Sequence, residues 1–448
     1  MENRTGRKIV IVGCGVAGST AALAAARMGM SPLVIEKNNC PGGIMTSGLL
    51  AFLGPFDSAR RGQADWTRFR LDRVGKDYPD ELKVGNRVIG GIAEEIASEL
   101  EQKDLIERPE FGYMPINTEA VKSMLETKLT ASGAELLYNS IVVGGKQLEN
   151  GKTELLIGNK AGISRVVADM VIDCSGDGDA AVHLGAEFKQ GRPEDGLTQG
   201  VTLVFWMGGV TADPLDFLPD HSDQYKQAAA DAFKRGEFSF NPKGVGCVNY
   251  VPGMPGVVMV NLQHCFGIDG TDPAQVTAAT IKGRYDIQEH VEFFRRYVPG
   301  FENCFLIATG SQLGIRETRR IVGDYTLSGD DVLGCVKHSD AICRFDYDMD
   351  IHLPENDECC QNAPTPGDWY DIPYRCLIPA GIDNLLVAGR CISADHYALS
   401  SMRLMSCCMM LGQAAGTAAS MALLQGVSPG KLNVAELQKK LRLDGAII

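Results

Sequence analysis

Gly13, Gly15 and Gly18, in the stretch GCGVAG, carry the spacing with which a polypeptide can hold a diphosphate. Each has its own task. The first permits a tight turn, the second lets the backbone approach the phosphates, and the third lets the following helix lie close on the strand. The helix N-terminus then offers unpaired N–H groups to the anion. This chemistry needs a strand in front and a helix behind, and both are legible. Residues 8–12 (KIVIV) form a short β-branched run typical of a buried parallel strand. Residues 17–28 read as a small-residue helix, with Gly29 placed to cap it. A second apolar strand, PLVIE at 32–36, ends in Glu36, close to where a ribose-binding acid is expected about 20 positions on. That carboxylate would oppose a ribose 2′-phosphate, which argues against NADP. Lys8 and the Ala-rich run behind it also resemble a secretory leader, but the three glycines break the apolar core a leader needs. The dinucleotide reading accounts for every part.

A second pair with chemical reach is Asp350 and His352 in DMDIH, two apart and so on one face of an extended chain. A metal site would need a third ligand that the sequence does not offer, so a hydrogen-bonded pair and no metal are expected. Fourteen cysteines include no CxxC pair, so iron–sulfur clusters and zinc ribbons lack their usual spacing. Several lie in apolar runs, among them Cys174, Cys407 and Cys408, which points to buried free thiols and a cytoplasmic location.

The 448 residues suffice for two or three units with a large core. Hydrophobic content of 45% and charged content of 22% describe an ordinary soluble globular chain. A net charge of −13 disfavours nucleic acid and anionic membrane surfaces as partners. Residues 404–424 (LMSCCMMLGQAAGTAASMALL) raise a membrane question, but Gln413, Thr417 and several Ser and Gly make a poor lipid-facing helix. Small residues at 412, 415, 416 and 419 suit close packing against a sheet or a cofactor.

The elements follow in order. Residues 8–50 open a βαβ unit, 57–73 turn polar and Arg-rich, and 88–100 return as a helix. A helix and strand fill 117–145, then a hairpin runs into a buried strand at 170–173. Between 186 and 370 the βαβ rhythm is lost, with a polar helix over 273–297. One more buried strand in 382–393 precedes the long apolar helix. This alternation predicts an α/β chain in which residues 1–185 (with a small insertion near 57–115) and 371–448 form one domain, interrupted by a substrate or cap domain at 186–370.

Four separated motifs carry a family resemblance across nearly the whole chain: GCGVAG…VIEKNNCPGGIMTSG, NSIVV, VIDCSGDGDAA, and IPYRCLIPAGIDNLLVAGRCIS followed by SSMRLMSCCMMLGQAAGTAA. The chain resembles FAD-dependent oxidoreductases with the glutathione reductase-type flavin fold, distant relatives of the fumarate reductase and succinate dehydrogenase flavoproteins. The resemblance implies a discontinuous Rossmann-like FAD-binding domain, an inserted α+β substrate domain, and FAD as cofactor. It assigns Gly13, Gly15, Val16, Ala17 and Gly18 to the phosphate turn, and Glu36 and Lys37 to the end of the second strand. Gly42, Gly43, Ile44, Met45 and Thr46 would run toward the flavin, and the Val142 backbone would meet adenine. Ser175 and Gly176 match the turn near the pyrophosphate, and Gly389, Arg390, Leu404 and Met405 the closing segment. One departure stands out: many flavoproteins carry, at the position of Arg390, an acid that binds the ribityl chain. There is also no second GxGxxG for a nicotinamide and no CxxC for dithiol relay.

Such an enzyme would transfer a hydride between flavin and a small organic substrate at a CH–OH or CH–CH bond. The alternatives are a flavin electron-transfer subunit of a larger complex and a flavin monooxygenase. His396 and Arg403, between the closing strand and helix, are the catalytic candidates the resemblance suggests, with Tyr374 as a further proton relay. The run GIRETRRIVGDYTL at 314–327 reads either as a solvated, internally paired set of charges or as an Arg–Glu network (Arg316, Glu317, Arg319, Arg320) beside the substrate. A small-molecule substrate is the expected partner, and a homo-oligomer is left open.

Overall fold

The computed structural model describes residues 4–56, 87–107, 113–212, 219–240, 248–356, 359–362, 364–365 and 368–448. The polar stretch at 57–73 lies outside the described residues. Strand Arg4–Val12 sits in the middle of the main sheet. On one side it pairs in parallel with Leu33–Ile35, Val10 opposite Leu33, and that strand pairs with Glu135–Leu137. On the other it pairs in parallel with Gly162–Asp173, Ile9 opposite Met170. The C-terminal end of that long strand carries Leu385–Val387, again parallel, with Leu385 opposite Val171. A segment from near the C-terminus therefore completes a sheet begun at the N-terminus, as a discontinuous Rossmann-like unit requires. The first half of Gly162–Asp173 pairs antiparallel with Thr153–Asn159, which pairs with Ile141–Gln147. Ile9, Val10, Leu33 and Leu385 have no exposed surface, the pattern of a sheet covered on both faces.

Helix Val16–Arg27 follows the glycine turn, and the chain leaves it at Gly29, whose φ of +79° favours glycine. Against it lies the closing helix Met405–Gln425. A Cβ at Gly412 would stand 2.1 Å from the Ala17 carbonyl oxygen, and one at Gly416 2.2 Å from that of Ala21. Between them the Thr20 hydroxyl donates to the Met409 carbonyl at 2.8 Å. Gly412 and Gly416 thus serve a helix-to-helix contact, while the same helix also packs on the main sheet. Although long and apolar enough to cross a membrane, this helix has 89% of its most apolar window buried inside the protein.

The middle of the chain builds a second layer. Its antiparallel sheet runs Val248–Tyr250, Val258–Val260, Phe205–Gly208, Phe305–Thr309. Helix Pro273–Tyr297, capped by the Asp272 carboxylate accepting from Ala274 N–H at 2.8 Å, shares a core with it through Ile287, Val291, Phe293 and Phe294. Trp206 ties this layer to the first unit by donating its indole N–H to the Leu49 carbonyl at 2.9 Å. Eleven cysteines, Cys174 and Cys391 among them, are free and buried, and burial pushes the thiols of these two well up from their ordinary value.

The crossing of the two helices is testable at single-atom scale. Gly412→Ala should lower stability by about 1–3 kcal/mol, because a backbone carbonyl must move to admit the methyl. Gly430→Ala, where a Cβ meets nothing closer than 3.9 Å, should stay within about 0.5 kcal/mol. Urea denaturation of both variants checks the contrast.

Candidate active site

The parallel strands end together, and a long cavity opens over their C-terminal ends. Gly13 and Gly15 line it at the turn, Glu36 and Lys37 after the second strand, Val142 on the hairpin, and Ser175 and Gly176 after the long strand. The three glycines have separable reasons. A Cβ at Gly13 (φ +90°) would stand 2.5 Å from the Cys174 carbonyl oxygen, and one at Gly18 only 1.9 Å from that of Gly13. Packing demands both. Gly15 is different: its φ is −68°, and the nearest atom to a Cβ would be 3.9 Å away, at Gly43 Cα. The protein itself would admit a side chain there, and it is the cavity that would be filled.

The walls of this half are stiff. The Glu36 carboxylate accepts Cys14 N–H at 2.5 Å and Asn38 N–H at 2.8 Å. Buried Asp173 accepts Ser175 N–H at 3.0 Å and Ala181 N–H at 2.9 Å, while burial pushes its pKa up to about 6. The Ser175 hydroxyl in turn accepts Asp179 N–H at 3.0 Å. Beside this turn, Arg390 donates from Nη2 to Asp177 Oδ1 at 2.9 Å.

Besides Gly43, Ile44, Leu404 and Met405, the cavity is lined by polar residues of the second layer, which form a chamber. Arg403 caps the C-terminal end of the short helix His396–Met402, where the helix dipole favours a cation, and directly precedes Leu404, the N-cap of the closing helix. Its Nη2 donates to the Asp350 carbonyl at 3.0 Å and to Oδ2 at 3.2 Å, and its buried Nε has no partner among the described residues. His352 donates from Nε2 to the same Asp350 Oδ2 at 3.2 Å, the hydrogen-bonded pair expected from DMDIH. Burial, and then the nearby Arg316 charge, push the His352 pKa down to about 4, so the ring is neutral near pH 7 with its proton on Nε2. The His264 ring lies 5.5 Å away, centre to centre. Arg316 donates from Nη2 to His264 Nε2 at 3.4 Å and from Nη1 to the Gly200 carbonyl at 2.6 Å. A guanidinium can only donate, which places the His264 proton on Nδ1. Thr202 Oγ1 and Asn261 Oδ1, also on the wall, are buried without hydrogen-bond partners among the described residues.

A family model described as FAD dependent oxidoreductase matches residues 8–441. The chain belongs to the FAD-dependent oxidoreductase family. A search of curated proteins found no match. Among solved structures, the chain is similar to a geranylgeranyl bacteriochlorophyll reductase-like protein from Thermoplasma acidophilum (15% identity, TM-score 0.45, 99% of this chain and 85% of that one). It is also similar to p-nitrophenol 4-monooxygenase PnpA from Pseudomonas putida DLL-E4 (12% identity, TM-score 0.42, 97% and 83%). A third is the flavin-dependent halogenase CmlS (11% identity, TM-score 0.45, 99% and 62%).

The cavity fits FAD, the cofactor of this flavoprotein family: an open glycine cradle at Gly15, a fixed carboxylate at Glu36, and a part-buried guanidinium at Arg390 all line it. Of the residues singled out from the sequence, Val16, Ala17, Ile44, Gly389, Leu404 and Met405 also reach the wall. Gly18 and Gly42 do not, and act through packing. A Cβ at Gly42 (φ +100°) would press on the Thr46 side chain, whose hydroxyl donates to the Pro41 carbonyl at 2.5 Å. Met45 is buried outright, so from this loop Gly43 and Ile44 face the cavity and Met45 and Thr46 stand behind them.

Two catalytic candidates stand off the cavity wall. His396, 2% exposed, is not on the cavity wall; its Nδ1 lies 2.8 Å from Glu317 Oε2, in a buried cluster that Arg320 completes. Tyr374 is further off, its hydroxyl donating to the Pro429 carbonyl at 3.2 Å, and burial pushes its pKa up. His352, read only as a structural pair, and His264, which no motif marked, stand in the chamber instead. Arg316 from the charged run joins them, while Arg319 turns away to Asp177 and Asp179.

Two predictions follow from this geometry. Gly15→Val should fold with the thermal stability of the wild-type apoprotein but emerge without yellow flavin, whereas Gly18→Val should fail to fold; absorbance and circular dichroism of the purified variants separate the two. The second concerns protons. His352 binds one near pH 4 when folded but near 6.5 in the unfolded chain, so the unfolded state takes it up first as pH falls. Between those values apoprotein stability should decline with falling pH, and His352→Gln should flatten that decline in denaturation curves.

Proposed function

We propose that this FAD-dependent oxidoreductase transfers a hydride between its flavin and a small organic acid, at a CH–OH or CH–CH bond, inside the chamber of Arg316, Arg403, His264 and His352. The observation that carries the reading is that two guanidinium groups, Arg316 and Arg403, and two imidazoles, His264 and the neutral His352, line the same cavity as the glycine turn. FAD, when bound, supplies the two-electron exchange. The residues supply the rest.

A substrate carboxylate meets Arg403, whose Nε has no partner among the described residues, and Arg316; planar guanidinium forks bind carboxylates with both charge and direction. Thr202 and Asn261 offer a hydroxyl and a carbonyl oxygen to the polar groups of the same molecule. Asp350 fixes the His352 proton on Nε2, which leaves the Nδ1 lone pair to take a substrate hydroxyl proton as the hydride departs. The Tyr113 ring packs edge-on against Phe52 at 4.7 Å, and its hydroxyl is hydrogen-bonded to that of Tyr347, closing one side against water.

Anaerobic bleaching of the flavin by 2-hydroxy acids and saturated acids, compared with their amides, tests the substrate class. Acids should reduce the flavin and amides should not; equal bleaching by both removes the acid from the proposal. His352→Gln should slow flavin reduction by about 10²- to 10⁴-fold at unchanged FAD content. Arg316→Met should chiefly raise the KM. Wild-type reduction rates in His352→Gln would dismiss that ring as the proton carrier.

A further inference from the structure

Arg390 stands at the end of strand Leu385–Val387, just after Gly389, whose Cβ position lies 3.3 Å from the Ala17 Cβ at the start of the first helix. Its guanidinium is pressed against the Ser175–Gly176 turn so closely that a Cβ at Gly176 would stand 2.6 Å from Nη2. Nη2 is bound to Asp177 Oδ1 at 2.9 Å, and the same oxygen accepts the Thr318 hydroxyl at 2.8 Å, which fixes the carboxylate in turn. Nη1 is buried and has no partner among the described residues. Arg390 lines the cavity together with Gly13, Gly15 and Ser175.

We propose that Arg390, oriented by Asp177, is the diphosphate-binding cation of the dinucleotide site. Charge and placement favour phosphate over a ribityl hydroxyl. Asp177 stands between two cations, Arg390 and Lys37, whose Nζ is 3.7 Å from Oδ2, while neighbouring Asp179 is held by Arg319 at 2.5 Å, so three cations pair with these two carboxylates. A hydroxyl would satisfy the orphan N–H but leave the charge unanswered; a diphosphate answers both. Glycines at 13 and 15 put the helix N-terminus on the same stretch of cavity, so helix and guanidinium act on one anion. An acid at 390 would leave the Asp177 carboxylate without its guanidinium partner. This assignment concerns cofactor binding and stands apart from the substrate proposal.

The test is affinity of the full-length apoprotein for FAD and for ADP, which has the diphosphate but neither flavin nor ribityl chain. Arg390→Met should weaken both by about 10- to 100-fold, the range for losing a hydrogen bond to a charged group. Loss of FAD affinity with ADP unchanged would make Arg390 a ribityl contact and overturn the proposal, as would unchanged affinity for both. Arg390→Lys keeps the cation opposite Asp177 and covers the case in which the Met variant does not fold. Phosphorus NMR of its bound FAD should show displaced diphosphate resonances; resonances identical to wild type would overturn the assignment.

Discussion

The approach of two backbones at Gly412 and Gly416 holds this architecture together. Helices Val16–Arg27 and Met405–Gln425 meet with carbonyl oxygens of the first lying where side chains of the second would be. At that distance dispersion gathers along whole helices, and one added methyl would have to push a carbonyl aside. The consequence for function is positional. Gly13 to Ala17 lead into one helix and Leu404 to Met405 into the other, so their contact brings the start and end of the chain to opposite sides of one cavity. The closing helix also reaches outward. Gln413 accepts Ile92 N–H at 2.8 Å and donates to the Asp444 carbonyl at 3.3 Å, binding helix Gly91–Glu101 and the C-terminal segment to the same frame.

The chamber depends on a different device. Glu317 has no exposed surface, and its carboxylate accepts from Arg320, His396 and Gln199 N–H. Arg320 also donates from Nε to the Ala394 carbonyl at 3.0 Å and from Nη2 to the Gly191 carbonyl at 2.9 Å. A buried cluster of this kind is costly unless every member is satisfied, and its return is fixed geometry rather than stability. Here it clamps three separate segments, at 191–199, 317–320 and 394–396. Gly200, next to Gln199, then presents the carbonyl that receives Arg316. The orientation of a guanidinium in the chamber is therefore set by a carboxylate outside it.

That arrangement explains what was legible in the sequence and what was not. The glycine turn, the two opening strands, Glu36 and the closing strand and helix are local patterns, and each was read from neighbouring residues whose chemistry constrains one another. The small residues of the closing helix announced a close contact, but only the sheet order reveals that the partner is the first helix. His396 was drawn toward catalysis by its place between strand and helix. Its true partner, Glu317, is 79 positions away, and nothing in either segment marks the pairing. Conversely, Asp350 and His352 were recognised as a pair by spacing alone, whereas their place in the chamber follows from Arg403 reaching across to Asp350. His264 lay in a strand of ordinary composition, and no local signal could have raised it.

The cavity carries its cations in a consistent way. Arg390 is tied to Asp177 at one end, and Arg403 to Asp350 at the other. Each pair keeps an arginine from lying back along the wall, yet each leaves at least one buried N–H unspent, on Nη1 of Arg390 and Nε of Arg403, among the described residues. A lone guanidinium in such a cleft would shift to find water or a carbonyl, and an incoming anion would have to reorganise it. With an aspartate holding the far side of the fork, the direction of the remaining donors is set before any ligand arrives. Preorganised dipoles and charges of this kind act at full strength because no rearrangement opposes them. The aspartates weaken the local positive potential, and the structure accepts that loss in exchange for orientation. At both ends of one cavity, then, an internal carboxylate is what makes an arginine a directed donor instead of a diffuse charge.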